Sequence, residues 1–115
     1  KGGLEVKVSE LADKLSCTIE CGAAGANRDV SGCYIGDLLS LAMSKVQKDN
    51  VWITIQSNIN IAAVASLTEA ACIIICEGFS PDKNTAEKAE SEEIPILVSD
   101  KSAYELAARL AGLGI

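Results

Sequence analysis

Ala71-Cys72-Ile73-Ile74-Ile75 is an aliphatic run with no polar residue and no break. A strand with one wet face alternates apolar and polar residues. An unbroken run has to be covered on both faces, which is the situation of an interior strand in a parallel sheet. Two further runs flank it, Val51-Trp52-Ile53-Thr54-Ile55 before and Ile94-Pro95-Ile96-Leu97-Val98 after. Helical segments separate and follow them. Ile59 to Leu67 is rich in Ala and apolar nearly all round, hence buried. Ser80-Pro81 opens a polar helix to about Glu93, with Pro81 in its first turn. Ser99-Asp100-Lys101-Ser102 caps a last helix from Ala103 to about Leu113, and Gly114 follows it. From residue 51 onward the order is strand, helix, strand, helix, strand, helix. Right-handed crossovers turn that order into three parallel strands with helices on the faces. Aromatic residues make up only 3% of the chain, so the core must be built from Ile, Val, Leu and Ala.

The first half is less regular. Leu4 to Val8 alternates and reads as a short edge strand or as an appended segment. Ser9 to Leu15 reads as a short helix, with Ser9 as its cap. Cys17 to Cys21 alternates, as a half-buried strand does. Gly22 to Asn27 is a loop. The stretch Gly36 to Met43 reads as a helix with a broad apolar face, and Gln47 to Asn50 as a polar turn. The expected architecture is α/β, a three-layer sandwich with a mostly parallel sheet and helices on both faces. At 115 residues the chain is expected to form one domain, residues 1–115.

Composition removes several function classes. The net charge is −6 with no basic block, so a nucleic-acid partner is not expected. The apolar stretch from Ile59 to Cys76 is interrupted by Glu69 and small residues, which argues against a membrane span. There is no His, which removes Ser-His-Asp and Cys-His catalysis. Neither a phosphate-binding G-x-x-x-x-G-K-[ST] loop nor a GxGxxG fingerprint is present. Five cysteines, an odd number beside an aliphatic core, argue for reduced thiols and a cytoplasmic location. Cys17 with Cys21 and Cys72 with Cys76 share a C-x-x-x-C spacing. On strands such residues lie about 13 Å apart, too far to clasp one ion. They are expected to be packing residues, with no metal and no cofactor.

Asn27-Arg28-Asp29-Val30-Ser31-Gly32-Cys33 resembles the signature of the DRTGG domain family, named for an Asp-Arg, a Thr-Gly and a further Gly. Asn27 stands for the Asp, Ser31 for the Thr and Cys33 for the last Gly, while Arg28 and Gly32 are kept. Tyr34 to Ser40, Val51 to Gln56 and Ser102 to Ala107 are similar to the small stand-alone members. Domains of this family accompany HPr kinases, CBS-type pyrophosphatases and some phosphotransacetylases as non-catalytic regions. The resemblance therefore implies a non-catalytic regulatory module.

Two sets of site residues follow. Arg28, Ser31 and Gly32 belong to the signature. Arg28 reads either as an anion clamp or dimer contact, or as a loop arginine bonded to local carbonyls and Asp29. Gln56, Ser57, Asn58, Glu77, Gly78, Ser99 and Asp100 lie at the carboxyl ends of the three proposed strands, where open α/β sheets bind ligands. Backbone N–H groups at the following helix starts would face an anion there. Asn58 or Asn60, Ser80 and Asp100 read equally as simple caps. Cys33 replaces a turn glycine and is the candidate exposed thiol. Glu87, Glu90, Glu92 and Glu93 form a solvated helix face, with Lys83 and Glu87 as an i,i+4 pair.

The expected function is a non-catalytic regulatory module that senses a small anionic ligand or nucleotide and acts as a homodimer. The alternative is a ligand-free interaction or scaffold subunit of a metabolic or redox enzyme. An enzyme using Cys33 or a carboxylate is the weakest reading. The dimer expectation rests on the helix from Asp37 to Val46. Its Leu38, Leu39, Leu41, Ala42, Met43 and Val46 cover more circumference than one sheet face can bury. The small residues Ala103, Ala107, Ala108 and Ala111 add a second candidate surface.

Overall fold

A computed structural model describes residues 5–115. The elements in chain order are β1 (Val6–Lys7), α1 (Val8–Leu15), β2 (Thr18–Cys21), a single 3-10 turn (Ala23–Gly25), β3 (Asp29–Val30) and β4 (Cys33–Ile35). Then come α2 (Leu39–Lys45), β5 (Val51–Thr54), α3 (Asn60–Thr68), β6 (Cys72–Ile75), α4 (Lys83–Ser91), β7 (Ile96–Val98) and α5 (Ala103–Gly112). The main sheet has the order β2-β7-β6-β5-β4. β4 through β7 are parallel, and β2 joins β7 antiparallel. β1 and β3 form a separate antiparallel pair.

The three aliphatic runs are adjacent parallel strands, as their composition requires. A fourth parallel strand, β4, extends the unit. β4, β5, β6 and β7 follow one another in space as in sequence, so right-handed crossovers place α2, α3 and α4 on the same face. Trp52, Ile73, Ile75 and Ile96 point to that face and meet Ala42, Val46, Ile61, Val64, Ala65 and Ala89. The residues of opposite parity, Val51, Ile53, Cys72, Ile74 and Leu97, point to the other face. There they meet Leu11 and Leu15 of α1 and Leu106 and Leu110 of α5. Each such Ile or Leu, fully withdrawn from water, contributes about 2 kcal/mol. The result is the expected three-layer sandwich, with three helices on one face and two on the other.

Several boundaries differ from the sequence reading. Of the segment Leu4 to Val8, Leu4 lies outside the described residues. Val6 and Lys7 form the edge strand, and Val8 already belongs to α1. The N-cap of α1 is therefore Lys7, whose N–H donates to Glu10 Oε1 (2.9 Å), while the Ser9 N–H goes to the Ala26 carbonyl. Helix α2 starts at Leu39 rather than Asp37, because the Asp37 carboxylate is engaged elsewhere. Pro81 lies before α4, whose N-cap is Asp82. The ion pair on that helix is Lys88–Glu92 (2.7 Å), and Glu90 accepts the Gly22 N–H (2.7 Å). Ser102, not Asp100, caps α5, accepting the Glu105 N–H (3.1 Å).

Candidate functional site

The candidate residues fall at opposite edges of the sheet. Arg28, Ser31 and Gly32 lie where the parallel strands begin. Gln56, Ser57, Asn58, Glu77, Gly78, Ser99 and Asp100 lie where they end. They do not form one site.

At the amino edge, the signature is tied into the turns that lead into β5 and β6. Arg28 Nη2 donates to Asp49 Oδ1 (2.7 Å) and to the Glu69 carbonyl (2.8 Å). The Asp49 N–H donates to that same carbonyl (2.8 Å). Asp49 and Glu69 both have left-handed backbones, with φ of 67° and 59°. That conformation costs an ordinary residue about 1–2 kcal/mol, and the guanidinium binds both strained residues together. The Ser31 N–H donates to the Asp49 carbonyl (2.9 Å), and the Ser31 carbonyl accepts from Asn50 Nδ2. Gly32 has φ +79°, and a Cβ there would lie 2.8 Å from Asn50 Nδ2. Arg28 thus bonds neither local carbonyls nor Asp29 here: its partners are the distant Glu69 carbonyl and the Asp49 carboxylate. Asp29 pairs with Lys7 (3.1 Å). A cavity of about 460 Å³ opens beside Ser31, Gly32, Asp29 and Asp49, and Arg28 does not line it.

Cys33 follows this lock but is not at a turn. It is in β4, paired in register with Val51 and packed against the core. Burial pushes its thiol up to about 11. The thiolate needed for nucleophilic chemistry is therefore scarce near neutral pH. Burial raises the other four thiols as well.

The carboxyl edge carries a cavity of about 590 Å³, lined by Ile35, Asp37, Ile53, Thr54, Ile55, Cys76, Glu77, Phe79 and Ala103. Its origin is geometric. Two helices cannot cover the face that three cover on the other side. The shortfall lies over the ends of β4 and β5, where Ile35 and Ile55 keep 44% and 43% of their surface exposed. Asp37 holds this corner. Its Oδ1 accepts from Thr54 Oγ1 (2.8 Å) and from the Ile55 N–H (2.9 Å). Gln56 Nε2 donates to the Asp37 carbonyl (2.9 Å). A smaller cavity of about 200 Å³ lies alongside, lined by Gly78, Ser99, Asp100 and neighbours, and Phe79 lines both. Of the expected residues, Glu77 faces the larger cavity and Gly78, Ser99 and Asp100 the smaller. Gln56, Ser57 and Asn58 line neither.

The loop donors at this edge are largely used by the protein itself. The Gln56 N–H donates to Thr54 Oγ1 (3.1 Å), and the Asn60 N–H to Asn58 Oδ1 (2.9 Å). The Glu77 and Gly78 N–H groups donate to the carbonyls of Lys101 and Ser99 (both 2.9 Å). The Lys101 N–H goes to Ser99 Oγ (3.1 Å). Ser57 accepts through its carbonyl from the Asp82 N–H (3.0 Å) and Thr85 Oγ1 (2.7 Å). These seven sequence-derived positions mostly join one loop to the next. Ile35, Asp37, Ile55 and Phe79 were missing from that set. β4 is only three residues long, Cys33–Ile35, and carries no strand period in sequence, so the loop after it gives no sign of being a strand end.

Among the described residues no helix is long and apolar enough to cross a membrane, and no cluster of three or more His, Cys, Asp or Glu is placed to hold a metal.

A mostly parallel sheet between helices, with its signature loop locked at one edge and a cavity at the other, makes the protein a small α/β sandwich domain. The DRTGG domain family model matches residues 10–113, and the chain belongs to that family. Among solved structures it is similar to the CBS and DRTGG domains of the regulatory region of Clostridium perfringens pyrophosphatase, complexed with the activator diadenosine tetraphosphate. The TM-score is 0.69 at 12% identity, over 90% of this chain and 45% of the other. The chain thus spans less than half the length of that neighbour. No curated protein sequence matches it.

Proposed function

We propose that residues 1–115 act as one non-catalytic DRTGG-type module that senses a nucleotide at the carboxyl edge of its sheet. The carrying observation is the cavity over β4 and β5, whose apolar wall stays open and whose rim is polar. Its size falls within the usual range for small-molecule sites, about 300–1,000 Å³. The similar pyrophosphatase regulatory region, which is complexed with a dinucleotide activator, supports the ligand class. The amino edge fits this role poorly as an anion site, since Arg28 is already paired with Asp49.

The test is a thermal-shift panel of mono- and dinucleotides with acyl phosphates as comparators. A ligand that binds only the native state at 100 times its Kd stabilises by about 2.7 kcal/mol. A shift with nucleotides, lost in Ile55→Glu, is expected. A flat panel at millimolar ligand would remove the sensing role.

A second reading, an interaction subunit for a metabolic enzyme, is favoured by α2 and the residue before it. Leu38, Leu41 and Met43 are exposed there, while Leu39 and Ala42 pack inward. The homodimer belongs to the same surface. Leu41→Asp with Met43→Asp should halve the sedimenting mass if that surface joins two copies. Unchanged mass in a dimeric protein would place the interface elsewhere.

A further inference from the structure

The open groups of the carboxyl-edge cavity are hydrocarbon and carboxylate. Ile35, Ile53 and Ile55 form an apolar wall, and Asp37 and Glu77 supply the charge. No Lys or Arg lines it among the described residues, and the protein carries a net charge of −6. A bare phosphate placed there would meet like charge, with the nearby loop N–H groups already bonded internally. An aromatic base bearing N–H donors meets the opposite conditions. Phe79, the chain's single Phe, keeps 52% of its surface exposed at the cavity wall. Such rings stack on bases with little regard to sequence. Asp37 is held in place through Oδ1 by Thr54 and Ile55, so its carboxylate is a fixed acceptor at the wall. Fixed acceptors discriminate for ligands that bring the matching donor.

We propose that this cavity takes the amino-bearing base of a nucleoside such as adenosine. Phe79 lies against the base, Asp37 accepts its exocyclic N–H, and any phosphates stay outside in solvent. The inference rests on the nucleotide reading above and narrows it to the end of the ligand that enters. It makes Asp37 the specificity-determining residue and the phosphate count nearly irrelevant to affinity.

The experiment is calorimetric titration with adenosine, ATP, purine riboside (which lacks the amine) and tripolyphosphate. Adenosine and ATP are expected to bind within about threefold of each other, purine riboside about tenfold more weakly, and tripolyphosphate not at all. Asp37→Asn keeps an acceptor for Thr54 and Ile55 but puts an amide where the second carboxylate oxygen stood. It should bring adenosine down to the level of purine riboside, a change that mere loosening of the loop would not produce. Phe79→Ala, at an exposed position, should weaken both nucleosides about tenfold. Binding of tripolyphosphate, or of ATP with adenosine silent, would overturn the inference while leaving nucleotide sensing intact. Undiminished discrimination in Asp37→Asn would overturn the role given to Asp37. Silence from every nucleotide and nucleoside would overturn both readings. If Ile55→Glu also split a dimer, the occupant of the wall would be a second copy.

Discussion

The two edges of the sheet use the same kinds of residue to opposite ends. At the amino edge the charged groups close on one another. Arg28 binds Asp49 and the Glu69 carbonyl, and Lys7 binds Asp29. At the carboxyl edge the backbone donors close on one another, while Asp37, Glu77 and an apolar wall stay open to the cavity. The signature residues Arg28, Ser31 and Gly32 therefore lie in the closed edge. The signature makes its bonds at that corner, while the cavity begins just past it in sequence, at Ile35 and Asp37, and takes most of its remaining lining from β5, the end of β6 and the loops after them.

The contrast can be broken by substitutions, and the largest effect belongs to the amino edge. Gly22 has φ +74°, and a Cβ there would come within 1.9 Å of the Ile94 carbonyl oxygen. That neighbour is backbone and cannot swing aside. Gly22→Ala should cost more than about 3 kcal/mol and leave little folded protein by urea titration or circular dichroism. A stable Gly22→Ala protein would mean that the turn before β7 can be redrawn. Next comes Arg28→Ala, which leaves Asp49 unpaired and the Glu69 carbonyl short of a donor. A loss of about 1–3 kcal/mol is expected by the same titration, with nucleotide affinity unchanged once the protein is folded. Lost affinity in a folded Arg28→Ala protein would make the signature part of the ligand site.

The smallest effect compares two left-handed acidic residues. Asp49 (φ 67°) is held by Arg28, whereas the backbone of Glu77 (φ 63°) is held by its own N–H, which donates to the Lys101 carbonyl. Glycine relieves the strain at either position but at Asp49 also removes the ion pair. Asp49→Gly should therefore lower the melting temperature, and Glu77→Gly should leave it level or raise it by an amount worth about 0.5–1 kcal/mol. Equal effects would remove the distinction between a locked edge and an open one.

The long elements were legible because burial on both faces leaves a plain mark. Val51–Thr54, Cys72–Ile75 and Ile96–Val98 are aliphatic runs, and each is followed by a helix of nine or ten residues. β4 was not legible. Cys33-Tyr34-Ile35 is three residues between Gly32 and Gly36, too short for any period to show. It is a strand only because β5 offers it an edge. Without a mark for β4 the loop after it has none either, and Asp37 in that loop reads in sequence as the first residue of a helix. The apolar face legible in segment 37–46 exceeds what the sheet covers, since Leu38, Leu41 and Met43 remain exposed. Arg28 could be read as a bonded loop residue, but its partners Asp49 and Glu69 lie 21 and 41 residues away. No local pattern announces contacts of that range.

The central claim is that the ligand enters the edge where the strands end and not the edge that bears the signature. Amide chemical-shift mapping during an adenosine titration of the ¹⁵N-labelled protein tests it residue by residue. The account predicts saturable shifts at Ile35, Asp37, Ile55, Glu77, Phe79 and Ala103, with Arg28, Ser31, Gly32 and Asp49 unmoved. Shifts confined to residues 28–32 and 49, with the carboxyl edge silent, would contradict it.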